Sequence, residues 1–154
     1  MLMFIRRNIR LRDFDYSSSS HAYFITICTY GKKAYFFNNK LRDFAQRSLE
    51  CRQNNKEISI FCCCIMPDHI HLLISLNEDY NQTLSNWVSS FKRFISKTAK
   101  RDFNINDLWQ RNYYDHIIRT EESMYKIAEY ILENPVRKNI VQRSEEYPSA
   151  KLYF

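Results

Sequence analysis

The sequence predicts an α+β fold of the ferredoxin-like or RRM-like type, an antiparallel sheet with helices mainly on one face. Two observations predict this class. Short apolar segments typical of strands alternate with segments whose apolar residues recur at helical spacing, in the order β-α-β-β-α-β-α. The 154 residues, 45% of them apolar, also suit one core. We therefore expect residues 1–154 to form a single domain.

The first half of the chain provides three strands and one helix. His21 to Tyr30 is rich in aromatic and β-branched residues and predicts the first strand. Asn38 to about Asn54 begins with a suitable cap and keeps helical apolar spacing. Ile58 to Ile65 and Ile70 to Leu76 are apolar runs separated by a break at Pro67. These two runs predict neighbouring antiparallel strands.

The second half provides two helices and one strand. Gln82 to Lys100 predicts an amphipathic helix with a basic face, and Tyr113 to Arg119 predicts a short strand. Glu121 to Glu133 predicts a third helix. Pro135 ends it, because the residue before a proline is pushed out of the α region. The tail from Ser144 is polar and then aromatic, and we expect it to lie over the domain.

Charge and composition favour a polyanionic partner. Lysine and arginine total 23 against 17 acidic residues, which gives a net charge of +6 and an isoelectric point near 9.1. The 11 tyrosines and 11 phenylalanines provide flat side chains beside these cations, a combination that suits unstacked bases. The single glycine excludes glycine-rich phosphate-binding loops. Many basic proteins bind nothing anionic, so charge alone leaves the partner open.

The cysteines and the start of the chain indicate the compartment. Five cysteines without a paired spacing predict no disulfide framework, and no segment reaches membrane-span length. We expect a soluble, cytoplasmic protein with no membrane partner. Residues 1–16 form a basic N-terminal arm expected to contact phosphates, with an organellar transit peptide as the alternative. The arginines of this arm are Arg6, Arg7, Arg10 and Arg12.

Two histidines, His69 and His71, are separated by one residue in the third predicted strand. Alternation places both imidazoles on one face of the sheet, roughly 7 Å apart along the backbone, so both can reach one ion. Two hydrogen-bonded histidines on a half-exposed face would have the same spacing. Cys62 and Cys64 share a face and offer a zinc site with the histidines, although buried cysteines usually behave as small apolar residues.

Two separated motifs carry a resemblance to a known family. The first motif is MPDHIHLL at 66–73, and the second combines YYDHIIR at 113–119 with EYILENPV at 129–136. In this order they resemble the single-tyrosine HUH transposases of insertion sequences, particularly the branch associated with repetitive extragenic palindromes (REP). The resemblance extends from about Ala22 to Tyr147, nearly the whole chain.

The resemblance assigns roles to four residues. His69 and His71 match the metal-binding pair, and Tyr130 matches the nucleophile. Asn134, one helical turn after Tyr130, matches a polar residue that completes the metal site in this family. As the residue before Pro135, Asn134 is equally a helix-end cap. Two imidazoles, an amide oxygen and open positions suit Mg²⁺ or Mn²⁺.

The resemblance also implies the reaction. We expect a metal-dependent transposase or endonuclease that acts on single-stranded DNA, at a hairpin with an adjacent guide sequence. Attack by the tyrosine would leave a 5′-phosphotyrosine and a free 3′-hydroxyl, and strand transfer would reverse the step without ATP. A phenol is a poor nucleophile at neutral pH, so the metal would activate the phosphate. Relatives work as dimers with exchanged tyrosine helices or as monomers, and both states remain open.

Further residues are predicted to contact DNA or to support the site. His116 is a candidate for orienting a ligand or contacting phosphate, and Asp68 is a candidate partner of a histidine. Alternatively, His116 is a structural histidine of the strand and Asp68 is a turn-forming residue. A basic stripe on the second helix, by default a solvated face, is expected to follow the DNA backbone together with Arg119. The stripe comprises Arg93, Lys97, Lys100 and Arg101.

Two other functions fit the same sequence. A non-catalytic module could bind single-stranded nucleic acid through its sheet face and basic helix, with the histidines as polar contacts only. A rolling-circle initiator or relaxase-type nickase would share the metal and the nucleophile. The short chain, with no helicase or primase portion, argues against the last of these.

Overall fold

One antiparallel sheet organises the computed structural model, which describes residues 21–153. Within these residues the sheet has five strands in the order β4-β1-β3-β2-β5. The predicted α+β class, with its antiparallel sheet, is confirmed. The strands are β1 Ala22–Cys28, β2 Ile58–Met66, β3 His69–Leu76, β4 Tyr114–Ile118 and β5 Ala150–Leu152. The helices are α1 Asn39–Asn54, α2 Leu84–Phe103, α3 Glu121–Leu132 and the single turn α4 Asn134–Arg137.

The centre of the sheet is the hairpin of β2 and β3. A two-residue turn, Pro67 and Asp68, joins the strands, and Met66 pairs with His69 directly beyond it. Strand β3 pairs with β1 on its other side, so β3 is bordered by strands along both edges. A strand bordered in this way has its backbone hydrogen bonds satisfied from two sides. The side chains of β3 are therefore held at fixed positions.

Helices cover both faces of the sheet, with the two long helices on one face. Helices α1 and α2 pack against alternate residues of β1, β2 and β3, and the rings of Trp87 and Phe91 stack 5.5 Å apart in this core. Helix α3 covers part of the opposite face, where Ile127, Ala128 and Ile131 pack on the sheet. The two long helices α1 and α2 thus lie on one face, as predicted, whereas α3 packs on the other face.

Side-chain caps fix where the three longer helices begin. Asn38 accepts backbone hydrogen bonds from Lys40 and Leu41, as its predicted capping role requires. Thr83 caps α2 and Thr120 caps α3 in the same way. Each cap satisfies amide groups that have no partner in the helix and stabilises it by about 1 kcal/mol.

The chain after α3 differs from the prediction in two respects. Helix α3 ends at Leu132, and Pro135 is the second residue of the separate turn α4. Proline is tolerated there because the first turn of a helix has unpaired N–H groups. The tail does not simply lie over the domain, because Ala150–Leu152 pairs with β2 and extends the sheet. The Tyr147 hydroxyl donates to the Ile65 carbonyl at 2.6 Å and anchors this tail.

Two further predictions concern the basic N-terminal arm and the absence of a membrane span. The basic arm, residues 1–16, lies outside the described residues. No helix within residues 21–153 is long and apolar enough to cross a membrane.

Candidate active site

A cavity of about 460 Å³ opens where β1 and β3 meet the start of α4. It brings together His69, His71, Tyr130 and Asn134, the four residues to which the sequence motifs assigned metal and nucleophile roles. All four come from one chain. The remaining lining residues are Thr26, Cys28, Lys32, Ala34, Met66, Pro67, Asp68, Lys138 and Ile140.

The two histidines point into the cavity because β3 alternates. Ile70, between them, is fully buried in the core under α1 and α2. The Nε2 atoms of His69 and His71 lie 3.1 Å apart. Two nitrogens bound at right angles to one ion, each at about 2.1 Å, would lie about 3.0 Å apart. The spacing of the pair therefore fits a shared ion.

Each histidine has an outer partner on its other ring nitrogen. His69 Nδ1 donates to Asp68 Oδ1 at 2.7 Å, and this hydrogen bond lowers the pKa of the Asp68 carboxyl. His71 Nδ1 lies 2.9 Å from the Thr26 hydroxyl, which can either accept or donate. Such partners orient metal-binding histidines and fix their tautomer. The prediction of Asp68 as a histidine partner thus has a matching contact, and Asp68 also lies in the turn.

The histidine pair is electrostatically suited to a cation. Burial, reinforced by the neighbouring His69, lowers the pKa of His71 well below its usual range. His71 is therefore neutral at neutral pH, the form in which imidazole binds metals. The two Nε2 atoms form a hydrogen bond of 3.1 Å when one of them carries a proton. When both Nδ1 atoms carry the protons instead, both Nε2 lone pairs are available to a cation.

Asn134 supplies an oxygen without a partner. The residue is 3% exposed, and its Oδ1 is buried with no hydrogen-bonding partner. A buried amide oxygen left unpaired costs about 1–3 kcal/mol. Asn134 is the first residue of α4, whose cap is Glu133, so its side chain does not cap a helix. A bound cation would give the Asn134 Oδ1 atom the partner that it lacks.

The donor set limits the kind of metal. Within residues 21–153, no three His, Cys, Asp or Glu side chains are grouped so that they could hold an ion. His69, His71 and Asn134 instead offer two nitrogens and a neutral oxygen, which would leave other coordination positions of an ion open. Mg²⁺ and Mn²⁺ accept such incomplete protein shells.

Tyr130 lies in the cavity beside the histidines. Its ring centre is 6.0 Å from that of His71 and 6.1 Å from that of Phe24, with edge-to-face geometry in both cases. The side chain is half-buried. The Arg137 guanidinium lies 4.0 Å from the Tyr130 ring centre, and Arg137 Nη2 donates to the Tyr130 carbonyl at 2.7 Å. Arg137 thus holds both the ring and the backbone of this tyrosine.

The other tyrosines near the second motif lie elsewhere. Tyr125 is 53% exposed on α3 and lines a separate cavity of about 320 Å³. Tyr113 is buried in the core under α1 and α2. Tyr114 is half-buried on β4 and does not line the active-site cavity. Of these four tyrosines, Tyr130 alone lines it.

The cysteine run does not extend the histidine site. Cys62 and Cys64 share the face of His69 and His71, as predicted, but both are fully buried under α3. Cys62 Sγ donates to the Ala128 carbonyl at 3.7 Å. Burial raises the pKa of each thiol to about 12, which disfavours the thiolate that binds zinc. Both cysteines therefore act as core residues.

The predicted DNA-contacting residues are dispersed. The basic stripe of α2 is exposed, but α2 packs on the sheet face opposite to the histidines. Arg101 in that stripe pairs with Asp102 at 2.9 Å. Arg119 and His116 are exposed at β4 and its end, on the outer edge of the sheet. None of these residues lines the active-site cavity.

Sequence reasoning missed four residues at the site: Thr26, Lys32, Arg137 and Lys138. Thr26 could have been found from strand pairing, because it lies opposite His71 in the register of β1 and β3. Arg137 ends α4 and contacts Tyr130, and Lys138 directly after it lines the cavity. Lys32 belongs to an irregular connection and has no periodic signal.

Comparison with known proteins gives one family and several relatives. The family model described as "Transposase IS200 like" matches residues 17–134. A Haemophilus influenzae protein described as uncharacterized is 33% identical, and the match covers 85% of this chain and 88% of that protein. A second Haemophilus influenzae protein, provisionally named a REP-associated tyrosine transposase, is 26% identical over 85% of this chain and 79% of its own length.

A solved structure has the same fold. It is described as a REP-associated tyrosine transposase bound to a REP hairpin, and it superposes with a TM-score of 0.71. The match covers 92% of this chain and 81% of that chain at 18% sequence identity. The sheet and helices described above therefore occur in that protein too.

The outer partner of His69 gives the first prediction. Replacing Asp68 by alanine removes the carboxylate that orients His69, so we expect Mn²⁺ affinity to fall about 10- to 100-fold. Calorimetric titration of the metal-free protein with Mn²⁺ measures this loss. The matched control is Asp102→Ala, which removes an exposed carboxylate on the far side of the sheet. Equal Mn²⁺ affinity in both variants would remove the metal-orienting role from Asp68.

Proposed function

Because the chain belongs to the IS200-like transposase family, we propose that it cleaves and rejoins single-stranded DNA, with Tyr130 as the nucleophile. A divalent metal, which His69, His71 and Asn134 would hold, assists the attack on the DNA phosphate. Family membership itself implies a DNA-cleaving enzyme. One observation carries the finer proposal: the tyrosine and the metal-capable side chains line one cavity within one chain.

The covalent step follows from the chemistry of a phenol and a phosphodiester. The Tyr130 oxygen attacks phosphorus, its proton passes to solvent, and the bond from phosphorus to the 3′-oxygen breaks. The leaving 3′-oxygen takes up a proton and becomes a free hydroxyl, while the phosphorus stays linked to the 5′-oxygen and to the tyrosine. Since one phosphoester replaces another, a second 3′-hydroxyl can reverse the step without ATP.

The protein prepares the phosphate and the nucleophile separately. When bound, the metal polarises the phosphate oxygens and neutralises the charge that develops on them. Asp68 and Thr26 hold the imidazoles with their Nε2 atoms toward the cavity. Lys32 and Lys138 at the cavity wall place positive charge near the incoming DNA backbone.

Arg137 is the positioning residue for the nucleophile. Its guanidinium covers the Tyr130 ring, and its hydrogen bond to the Tyr130 carbonyl fixes the last turn of α3. The same short helix α4 begins with Asn134. One segment therefore sets the tyrosine relative to a proposed metal ligand, an arrangement in which small displacements are costly.

The DNA substrate is proposed from the relatives. The solved structure of a REP-associated tyrosine transposase contains a REP hairpin, and a Haemophilus influenzae relative carries the same family name provisionally. We propose that this chain also binds a hairpin, with a single-stranded guide sequence beside it. Because the Tyr130 ring centre lies 6.0 Å from that of His71 in the same chain, we propose that a monomer completes the site without exchange of α3.

The nucleophile gives the second prediction. With a foldback oligonucleotide and Mn²⁺, the wild-type protein should form a covalent protein–DNA adduct that resists denaturing electrophoresis. Tyr130→Phe should form none, because it lacks the attacking oxygen, whereas Tyr125→Phe should react as wild type. An adduct in Tyr130→Phe would assign the nucleophile to another residue. Binding without cleavage by the wild-type protein would favour a non-catalytic binding module.

Metal removal gives the third prediction. EDTA should reduce cleavage at least 100-fold, on the order of the contribution of one charge-stabilising group, and Mn²⁺ should restore it. His71→Ala should lose cleavage by a similar factor and keep its affinity for the oligonucleotide. Rate measurements with saturating protein separate cleavage from binding. Full cleavage in EDTA would show that no metal takes part.

The positioning role of Arg137 gives the fourth prediction. Arg137→Gln should lower the single-turnover cleavage rate about 10- to 100-fold at saturating protein, because the tyrosine loses its ring and backbone contacts. Arg143→Gln removes an equal charge from an exposed ion pair with Glu146 and is the matched control. If both variants lose only DNA affinity and keep the wild-type rate, Arg137 acts as a charge and not as a positioning residue.

A further inference from the structure

We propose that the connection between β1 and α1, residues 29–38, is a binding surface for the unpaired bases of the DNA strand that enters the cavity. Tyr30 and Phe37 stack on bases, and Lys32 contacts a backbone phosphate. The inference rests on the proposed function, since it assumes a single-stranded DNA substrate. It adds the residues that hold the strand outside the reacting groups.

Two aromatic side chains of this connection are exposed to solvent. Phe37 is 75% exposed and Tyr30 is 55% exposed, the two highest values among the large apolar side chains of the described residues. Aromatic rings of this kind normally contribute buried area to a core. Phe36, directly before Phe37, does so and is fully buried. The exposed pair thus offers flat surfaces to a partner.

The connection is fixed to the turn that carries the histidine site. The Thr29 amide donates to the Asp68 carbonyl at 2.9 Å, and the Phe36 amide donates to the Pro67 carbonyl at 2.9 Å. The Thr29 hydroxyl lies 2.7 Å from the Lys33 carbonyl and 3.0 Å from that of Asp68. These bonds anchor the backbone of the connection, at Thr29 and Phe36, to the turn residues Pro67 and Asp68 that directly precede His69.

The same connection forms part of the cavity wall. Lys32 and Ala34 line the cavity, and along the chain Tyr30 precedes them and Phe37 follows them. Gly31 and Lys32 have φ values of 62° and 53°, in the left-handed region that favours glycine. The single glycine of the chain lies at this bend, and Lys32, the next residue, lines the cavity.

These features together match single-stranded DNA. Proteins that hold single strands combine a cationic path for the backbone with aromatic side chains on which bases stack. Here Lys32 and Lys33 supply exposed cations between the two exposed aromatic residues. A single DNA strand whose phosphate lies at the histidines would pass beside the connection, because Lys32 and Ala34 line the same cavity. Stacking needs no particular base, so this surface serves to hold the strand in place.

The test measures binding, so that it does not depend on cleavage. Full-length protein carrying Tyr130→Phe is titrated into a fluorescent DNA hairpin with a short single-stranded thymidine extension at either end. Phe37→Leu and Tyr30→Leu should each weaken binding about 5- to 150-fold, the range expected for loss of one stacked base. Phe37→Trp should retain the wild-type affinity, because it keeps a stacking surface.

Abasic sites identify the loss as stacking. Replacing successive thymidines by abasic residues should weaken wild-type binding at specific positions, and at those positions Phe37→Leu or Tyr30→Leu should have no further effect. Lys32→Gln should reduce the salt dependence of binding by about 0.7 in the slope of log affinity against log salt, as expected for one phosphate contact with a single strand.

Matched controls are available on the same chain. Phe94 and Tyr125 are 50% and 53% exposed, and both lie away from the connection. Phe94 is on α2, which packs on the sheet face opposite to the histidines, and Tyr125 lines the separate cavity beside α3. Phe94→Leu and Tyr125→Leu should therefore bind as the background protein does. A loss as large as that of Phe37→Leu would mean that any exposed aromatic residue contributes, and it would overturn the assignment.

Other outcomes also overturn the proposal. If Phe37→Leu and Tyr30→Leu bind both intact and abasic DNA with unchanged affinity, no base stacks on the connection. If the variants keep DNA affinity but lose self-association, the surface is a protein contact. An adduct in the wild-type protein together with unchanged binding in these variants would leave the proposed function standing and reject only this inference. Base-dependent binding without any adduct would reject the proposed function only.

Discussion

The alternation of side chains along β3 is the constraint on which the site depends. Ile70, Leu72 and Ile74 fill the core under α1 and α2, and this burial fixes the register of the strand. His69 and His71 must then face the other side. A slip of one residue would bury two imidazoles and expose the core residues, so the folding energy of the core also holds the histidines at the cavity. The metal-capable pair is a consequence of the same packing that stabilises the sheet.

The opposite face of β3 is covered incompletely, and the candidate active site lies in the gap. Helix α3 packs on the sheet through Ile127, Ala128 and Ile131. It ends at Leu132, near the histidines, and α4 begins two residues later with Asn134. The end of one helix and the start of the next therefore bring Tyr130 and an unpaired amide oxygen to the uncovered part of the sheet.

Local pattern predicted the elements, and the resemblance named four residues that the structure brings to one cavity, but neither predicted what surrounds them. Strand alternation placed His69 and His71 on one face, and helical spacing placed Asn134 one turn after Tyr130, because both rules depend only on neighbours along the chain. Arg137 escaped notice because its contact with Tyr130 arises from the break between α3 and α4. Strand β5 escaped because a three-residue strand carries too little periodicity. The placement of the basic stripe depends on which sheet face α2 covers, a tertiary property.

The position of α2 separates the basic stripe from the cavity. The basic stripe of α2 lies on the sheet face opposite to the histidines. A DNA strand that enters the cavity would therefore have to pass around the edge of the sheet to contact the stripe. Charges act at a distance, but at physiological salt exposed charges are screened within about 8 Å. The stripe is therefore suited to drawing DNA toward the protein or to holding a duplex portion that wraps the edge of the sheet. The cations that line the cavity, on the same side as the proposed nucleophile, are instead Lys32 and Lys138.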